Sequence, residues 1–297
     1  MAPPPLTPAQ LQQFETEGYV TIDALEHPQG LSAQQLQAAE DTFDRLVAPR
    51  DRGGVLKGKA ALAEDEGFVD LITHPFFEAV AKQVIRSESV RLIELGPHHR
   101  PPAETPKPTP EEARSAWSHG CHVDLQITTS DFNATPRRDL LAIWFWVNDV
   151  PADRAAMRIL PGSHVPIQAH WEKTLLPERR KWLPRVHGLN PQARGPAAPE
   201  FIPEPAEWSY TEAEPMPVVV KRGTAQIFTQ SMLHSGWHNS TEIARKGFII
   251  GWAAADVPVG FVRGASDRSP FQQSPTAPPT CWHDTARSSA RYLSCQL

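Results

Sequence analysis

Near residue 86 the hydrophobic period of this chain changes, and that change restricts the fold more than any other feature of the sequence. Before it, apolar residues recur at helical spacing. Thr7, Pro8 and Gln10 form a capping-box start ahead of Leu11 and Phe14, and Gly18 ends the pattern. Ser32 and Gln35 repeat the device ahead of Leu36, Ala39, Phe43, Leu46 and Val47, one apolar stripe over roughly four turns. A third helical pattern follows Pro75 through Phe76, Val80 and Val84. After it come short runs rich in β-branched and aromatic residues: VRLIEL (90–95), LLAIWFWVNDV (140–150), AMRIL (156–160), PVVVKRG (217–223), TAQIF (224–228) and KGFIIGWAA (246–254). Helices first and many strands afterwards predict a mainly β domain, a sandwich or barrel with flanking helices.

Two polar connections interrupt the strands, residues 96–116 and the Trp- and Pro-rich 165–216. Both are too long for turns, and connections of that size in a compact domain are lids or binding loops. No break in composition marks a second core. The expectation is one domain over 1–297: helices about 7–86, a β core about 90–254 with a lid-like insertion at 165–216, and an irregular tail at 255–297.

A net charge of -5 without a basic stripe argues against nucleic acid as a partner. The longest apolar run, LLAIWFWV, is far shorter than the ~20 residues of a membrane span. The start of the chain lacks a basic region followed by an apolar one. Cys121, Cys281 and Cys295, odd in number and far apart, read as free thiols in a reducing compartment. A cytoplasmic protein acting on a small molecule is expected, and no pattern sets an oligomeric state.

The chemistry concentrates in WSHGCHVDLQ, residues 117–126. His122 and Asp124, two apart on a strand, would share a face and reach one metal ion. Two histidines and one carboxylate on one face of an octahedron leave three positions open, the arrangement of non-haem iron(II) oxygenases. Spacing alone is weak, because 12 histidines and 34 acids in 297 residues give about 1.4 such pairs by chance (12 × 34 / 297). A second pair, His170 and Glu172, lies in a polar, Pro-flanked connection, whereas the strongest β run follows His122. A third ligand is offered by His234 or His238 in HSGWHNSTEIAR. Arg245 stands 11 residues after His234 at the start of a strand, where its planar fork could grip a carboxylate from two sides.

The succession His122-x-Asp124, DLLAIWFWVNDV, ILPGSH (159–164) and HSGWHNSTEIAR (234–245), with the opening LTPAQLQQFETEGYV, resembles the phytanoyl-CoA dioxygenase family of Fe(II)/2-oxoglutarate oxygenases over about residues 6–254. The resemblance implies a double-stranded β-helix, or jelly roll. It implies His122, Asp124 and His234 as iron ligands and Arg245 as anchor of the distal carboxylate of 2-oxoglutarate. Trp144, 16 residues before Leu160, falls where the family has a tryptophan beside the co-substrate, although a core aromatic would read the same way. His238 would then lie behind the ligands or face substrate, and Asn239 would be a loop residue. One departure stands out. The family's Asn-Gly turn before LPGSH is replaced by Asp153-Arg154-Ala155, so the turn is made without glycine's freedom at positive φ.

By this resemblance the protein is expected to be a dioxygenase that uses Fe(II), 2-oxoglutarate and O2 to hydroxylate or otherwise oxidise an unactivated C–H bond; the hypothesis for its substrate is a small molecule of secondary metabolism. The carboxylate of Asp124 fills the position that related halogenases leave to chloride. Trp171, Trp182, Trp208 and PERRKW (177–182) suggest an aromatic lid with cationic groups for a small, acidic or polar substrate. The competing readings are a cupin-like binding protein, a zinc enzyme and an inactive scaffold. His119 is expected behind the site or at the surface, Cys121 as a buried small hydrophobe and His164 in a turn. His98, His99, His187, His283, Lys57 and Lys59 are expected in solvated loops.

Overall fold

The computed structural model describes residues 3–47, 65–123, 141–174, 186–187 and 213–255. Helix α1 (Pro8–Glu17) and α2 (Ala33–Leu46) start at Thr7 and Ser32, each with both reciprocal capping-box hydrogen bonds in place. Gly18 closes α1 at φ 82, a left-handed cap that glycine adopts without strain. Helices α3 (Glu66–Ile72) and α4 (Pro75–Ile85) follow, the first capped by the carboxylate of Asp65. Arg45 pairs with that carboxylate at 2.5 Å.

The strands are β1 (Tyr19–Asp23), β2 (Val90–Arg100), β3 (His122–Val123), β4 (Leu141–Trp146), β5 (Arg158–Ile159), β6 (Val186–His187), β7 (Met216–Pro217), β8 (Thr224–Thr229), β9 (His234–Ser235) and β10 (Arg245–Ala254). Among the described residues they form two five-stranded antiparallel sheets, ordered β1-β8-β4-β10-β2 and β6-β3-β9-β5-β7. The larger sheet is buried on both faces, which explains why LLAIWFWV shows no alternation. Leu141, Ile143 and Phe145 pack with Phe43, Phe68 and Phe77 of the helices. Ala142, Trp144 and Trp146, the residues between them, belong to a second core with Met157 and Ile159 of the smaller sheet's side. The jaws of a sandwich therefore close on that second core.

Several expectations need correction. β1 was not foreseen, though Val20 and Ile22 alternate with exposed partners after Gly18. Residues 96–100, expected in a loop, extend β2, so His98 and His99 are strand residues. The last part of the remaining connection, from residue 110, belongs to helix α5 (Pro110–Gly120), begun by a capping box between Thr109 and Glu112. His119 sits on that helix and Cys121 caps its end; Cys121 is fully buried, as expected. Residues 165–174 of the expected insertion lie in helix α6 (His164–Thr174). His170 and Glu172 lie on it, about 200° apart around the axis, and so do not share a face. His187 is a residue of β6 rather than of a loop. The tail 256–297, Lys57, Lys59, Arg179, Arg180, Trp182, Trp208 and His283 lie outside the described residues.

Candidate active site

The smaller sheet carries two of the three expected metal-ligand positions. His122 on β3 is paired in register with His234 on β9, and His187 on β6 lies opposite His122 on the other side. Residues directly opposite one another emerge on one face of a sheet, so positions 122 and 234 share a face. Asp124 lies outside the described residues. Among the described residues, no three His, Cys, Asp or Glu side chains gather closely enough to hold a metal.

His234 is held by a chain of local bonds that leaves it little freedom. Its ring is buried, 3% exposed. Nδ1 lies 3.0 Å from the carbonyl oxygen of Met232, and a carbonyl only accepts, so Nδ1 carries the proton and the lone pair sits on Nε2. The preceding residue is fixed from the PGSH turn: Leu233 N–H donates to Ser163 Oγ at 3.0 Å, and Leu160 N–H donates to the Leu233 carbonyl at 3.0 Å. Phe228 stands beside the imidazole with ring centroids 5.3 Å apart. His238, the other candidate, is half-buried with no hydrogen-bond partner for Nε2 among the described residues.

Arg245 opens β10 and is 3% exposed. Asn148 fixes both of its neighbours, donating to the Ala244 carbonyl at 2.8 Å and accepting from Lys246 N–H at 3.0 Å. One arm of the guanidinium donates to the Ala155 carbonyl at 2.5 Å. Ala155 itself sits at φ 50, so the turn lacking a glycine is made by a non-glycine in the left-handed region. The guanidinium lies 5.1 Å from the Trp146 ring and 5.5 Å from the Trp144 ring, cation–π distances. Trp146 fits against the backbone only because position 247 is glycine. A β-carbon there would stand 2.7 Å from Cε3 of Trp146 and 2.9 Å from the Phe145 carbonyl. Trp146 Nε1–H donates to Gln226, whose amide donates to the sulfur of Met157.

Burial pushes the Arg245 pKa down to about 9, and the nearby charge of Arg100 adds to the effect. The group is still a cation at neutral pH. Among the described residues, it has no acidic partner in an ion pair, and its Nε has no acceptor. Nε1 of Trp144 also has no acceptor. Buried donors without acceptors are costly, and an anion placed between these two groups would supply the missing oxygen atoms. His98 packs its ring against Trp144 with centroids 4.1 Å apart. Sequence reasoning placed His98 in solvent and overlooked Asn148. The first follows from strand register, which no local signal encodes, whereas the Asn in WVNDV was legible as a turn residue.

Residues 7–247 match the sequence model of a family described as phytanoyl-CoA dioxygenase. No curated protein matches the chain by sequence. Among solved structures, the chain is similar to the non-heme alpha ketoglutarate dependent carbocyclase SnoK from nogalamycin biosynthesis, at 16% identity and a TM-score of 0.56 over 86% of each chain. It is also similar to the epimerase SnoN in complex with Fe3+, alpha ketoglutarate and nogalamycin RO, at 17% identity and a TM-score of 0.55, covering 91% of this chain and 90% of that one. EctD from S. alaskensis in its apoform aligns at 12% identity and a TM-score of 0.52, over 86% and 80%. At such identities the likeness is one of fold, and the fold is the jelly roll expected from the sequence.

Proposed function

From the chain's membership of the phytanoyl-CoA dioxygenase family, we propose that it is an Fe(II)/2-oxoglutarate-dependent oxygenase that oxidises a C–H bond of a small organic molecule of secondary metabolism. The observation that carries this reading is Arg245, a buried cation with no acidic partner among the described residues and a neighbouring indole N–H equally without an acceptor. The donor sets fit the groups required. Nε2 of His234 offers its lone pair, and His122 shares its sheet face. Asp124, two residues on from His122, supplies the carboxylate of the set.

In this reading His122, Asp124 and His234 hold the iron, while Arg245 binds the distal carboxylate of 2-oxoglutarate beside Trp144. With its co-substrates bound, the ferrous ion supplies oxidation of an unactivated C–H bond, with 2-oxoglutarate and O2 consumed and succinate and CO2 released. Hydroxylation is the default outcome. The protein's own part is placement and exclusion of water. Met232 fixes the tautomer of His234, the Ala155 carbonyl and Asn148 aim Arg245, and Phe228, Trp144 and Ile249 contribute buried apolar surface to the core between the sheets. A zinc enzyme would have no use for a buried carboxylate clamp.

Anaerobic addition of iron(II) and then 2-oxoglutarate is expected to raise the weak visible charge-transfer band of the chelate. Absence of the band from folded protein would discredit the assignment. The charged stretch with Arg179 and Arg180 is assigned to an acidic or polar substrate. Unchanged substrate affinity after alanine replacement at both positions would remove that part.

A further inference from the structure

We propose that Arg100 is a second cation of the co-substrate pocket and grips the distal carboxylate of 2-oxoglutarate together with Arg245; this rests on the reading above. β2 and β10 are paired so that Arg100 stands directly opposite Arg245. Opposite residues share a face of the sheet, and like charges so placed destabilise it. Here one of the two is also buried. Among the described residues, no ion pair involves either arginine.

Two further contacts show where Arg100 lies. His98, two residues earlier on the same strand face, packs against Trp144. A β-carbon built on Gly236, two residues after His234, would stand 3.4 Å from Nη2 of Arg100. The guanidinium thus extends from beside the anchor toward the strand that carries His234. Its backbone is held as well, since the Arg100 carbonyl accepts from Asn239 Nδ2 at 3.0 Å and that amide also donates to the Ile243 carbonyl. Arg245 is enclosed while Arg100 is exposed.

The chemistry follows from the count of donors. A carboxylate offers about four lone-pair sites, and Arg245 has already committed one arm to Ala155. A second guanidinium satisfies the remaining sites, and the carboxylate held between them neutralises the repulsion between the two cations. A 2-oxo acid without a distal carboxylate would do neither, so the pair selects for a dicarboxylate.

The test is calorimetric titration of 2-oxoglutarate and of 2-oxobutanoate into the full-length Mn(II)-loaded protein under nitrogen, for wild type, Arg100→Gln and Arg100→Lys. Melting temperatures confirm that each variant is folded. Arg100→Gln is expected to bind 2-oxoglutarate about tenfold more weakly, with 2-oxobutanoate affinity unchanged and Arg100→Lys recovering most of the loss. Binding of 2-oxoglutarate by Arg100→Gln within twofold of wild type would overturn the inference. An equal loss for both acids would do the same, since the distal carboxylate would then not be the group recognised. A wild-type protein that binds no 2-oxoglutarate defeats the proposed function itself, and is distinct from either of those results.

Discussion

At the scale of single residues, the site depends on how Arg245 is aimed more than on how it is charged. Asn148 holds the peptide on each side of it and touches no ligand position, so Asn148→Ala is expected to weaken 2-oxoglutarate binding by about three- to tenfold, roughly one or two lost hydrogen bonds. Calorimetry would register this with the metal affinity unchanged. Ala155, at φ 50, presents the carbonyl that holds the guanidinium. A β-branched side chain is strained in that region, and Ala155→Val should lower stability by about 2 kcal/mol in denaturant unfolding. The titration of Arg245 gives a pH signature. Burial lowers its pKa to about 9, and an anion bound against it favours the proton. Affinity for 2-oxoglutarate is therefore flat below pH 9 and falls by up to about tenfold per pH unit above it.

At the scale of elements, Gly247→Ala tests the close approach of β4 and β10. Its β-carbon would collide with Trp146 and the Phe145 carbonyl, and about 2 kcal/mol of stability should be lost. Helix α3 carries a different dependence. Burial raises the Asp65 pKa, but the Arg45 hydrogen bond, the Phe68 amide and Thr42 together bring it below its ordinary value. A depressed carboxyl stabilises fully above its unfolded pKa, near pH 4, and the contribution is lost as pH falls through the folded value. Asp65→Asn, which can still cap, should remove that acid dependence in melts between pH 5 and 2. Elements were legible wherever local chemistry announces them. Thr7 and Ser32 started helices as read, and the same device at Thr109 and Glu112 was present in the sequence but hidden by the prolines around it. Strand β2 ran past Leu95 because β10 offers a long partner, a pairing that lies about 150 residues away in sequence. The candidate ligands were legible as types and spacing. The juxtaposition of Arg100, His98 and Trp144 was not, since register across strands has no local signature.

At the scale of the whole molecule, the two cores share strand β4, so the two sheets and the helix layer are expected to unfold together. Saturation with Mn(II) and 2-oxoglutarate, at about a hundred times the dissociation constant, should then stabilise the entire chain by about 2.7 kcal/mol. A scan should show the main transition rise by several degrees, with no separate ligand-insensitive step. The interlock is visible in β4. Leu141, Ile143 and Phe145 face the helices while Ala142, Trp144 and Trp146 face the second core, so one six-residue segment serves two cores. A substitution on the side of the second core shifts a backbone whose reverse side anchors the helix layer. Changes of chemical taste in such a chain are therefore channelled away from this strand and into the rims and insertions, where a new side chain disturbs nothing behind it.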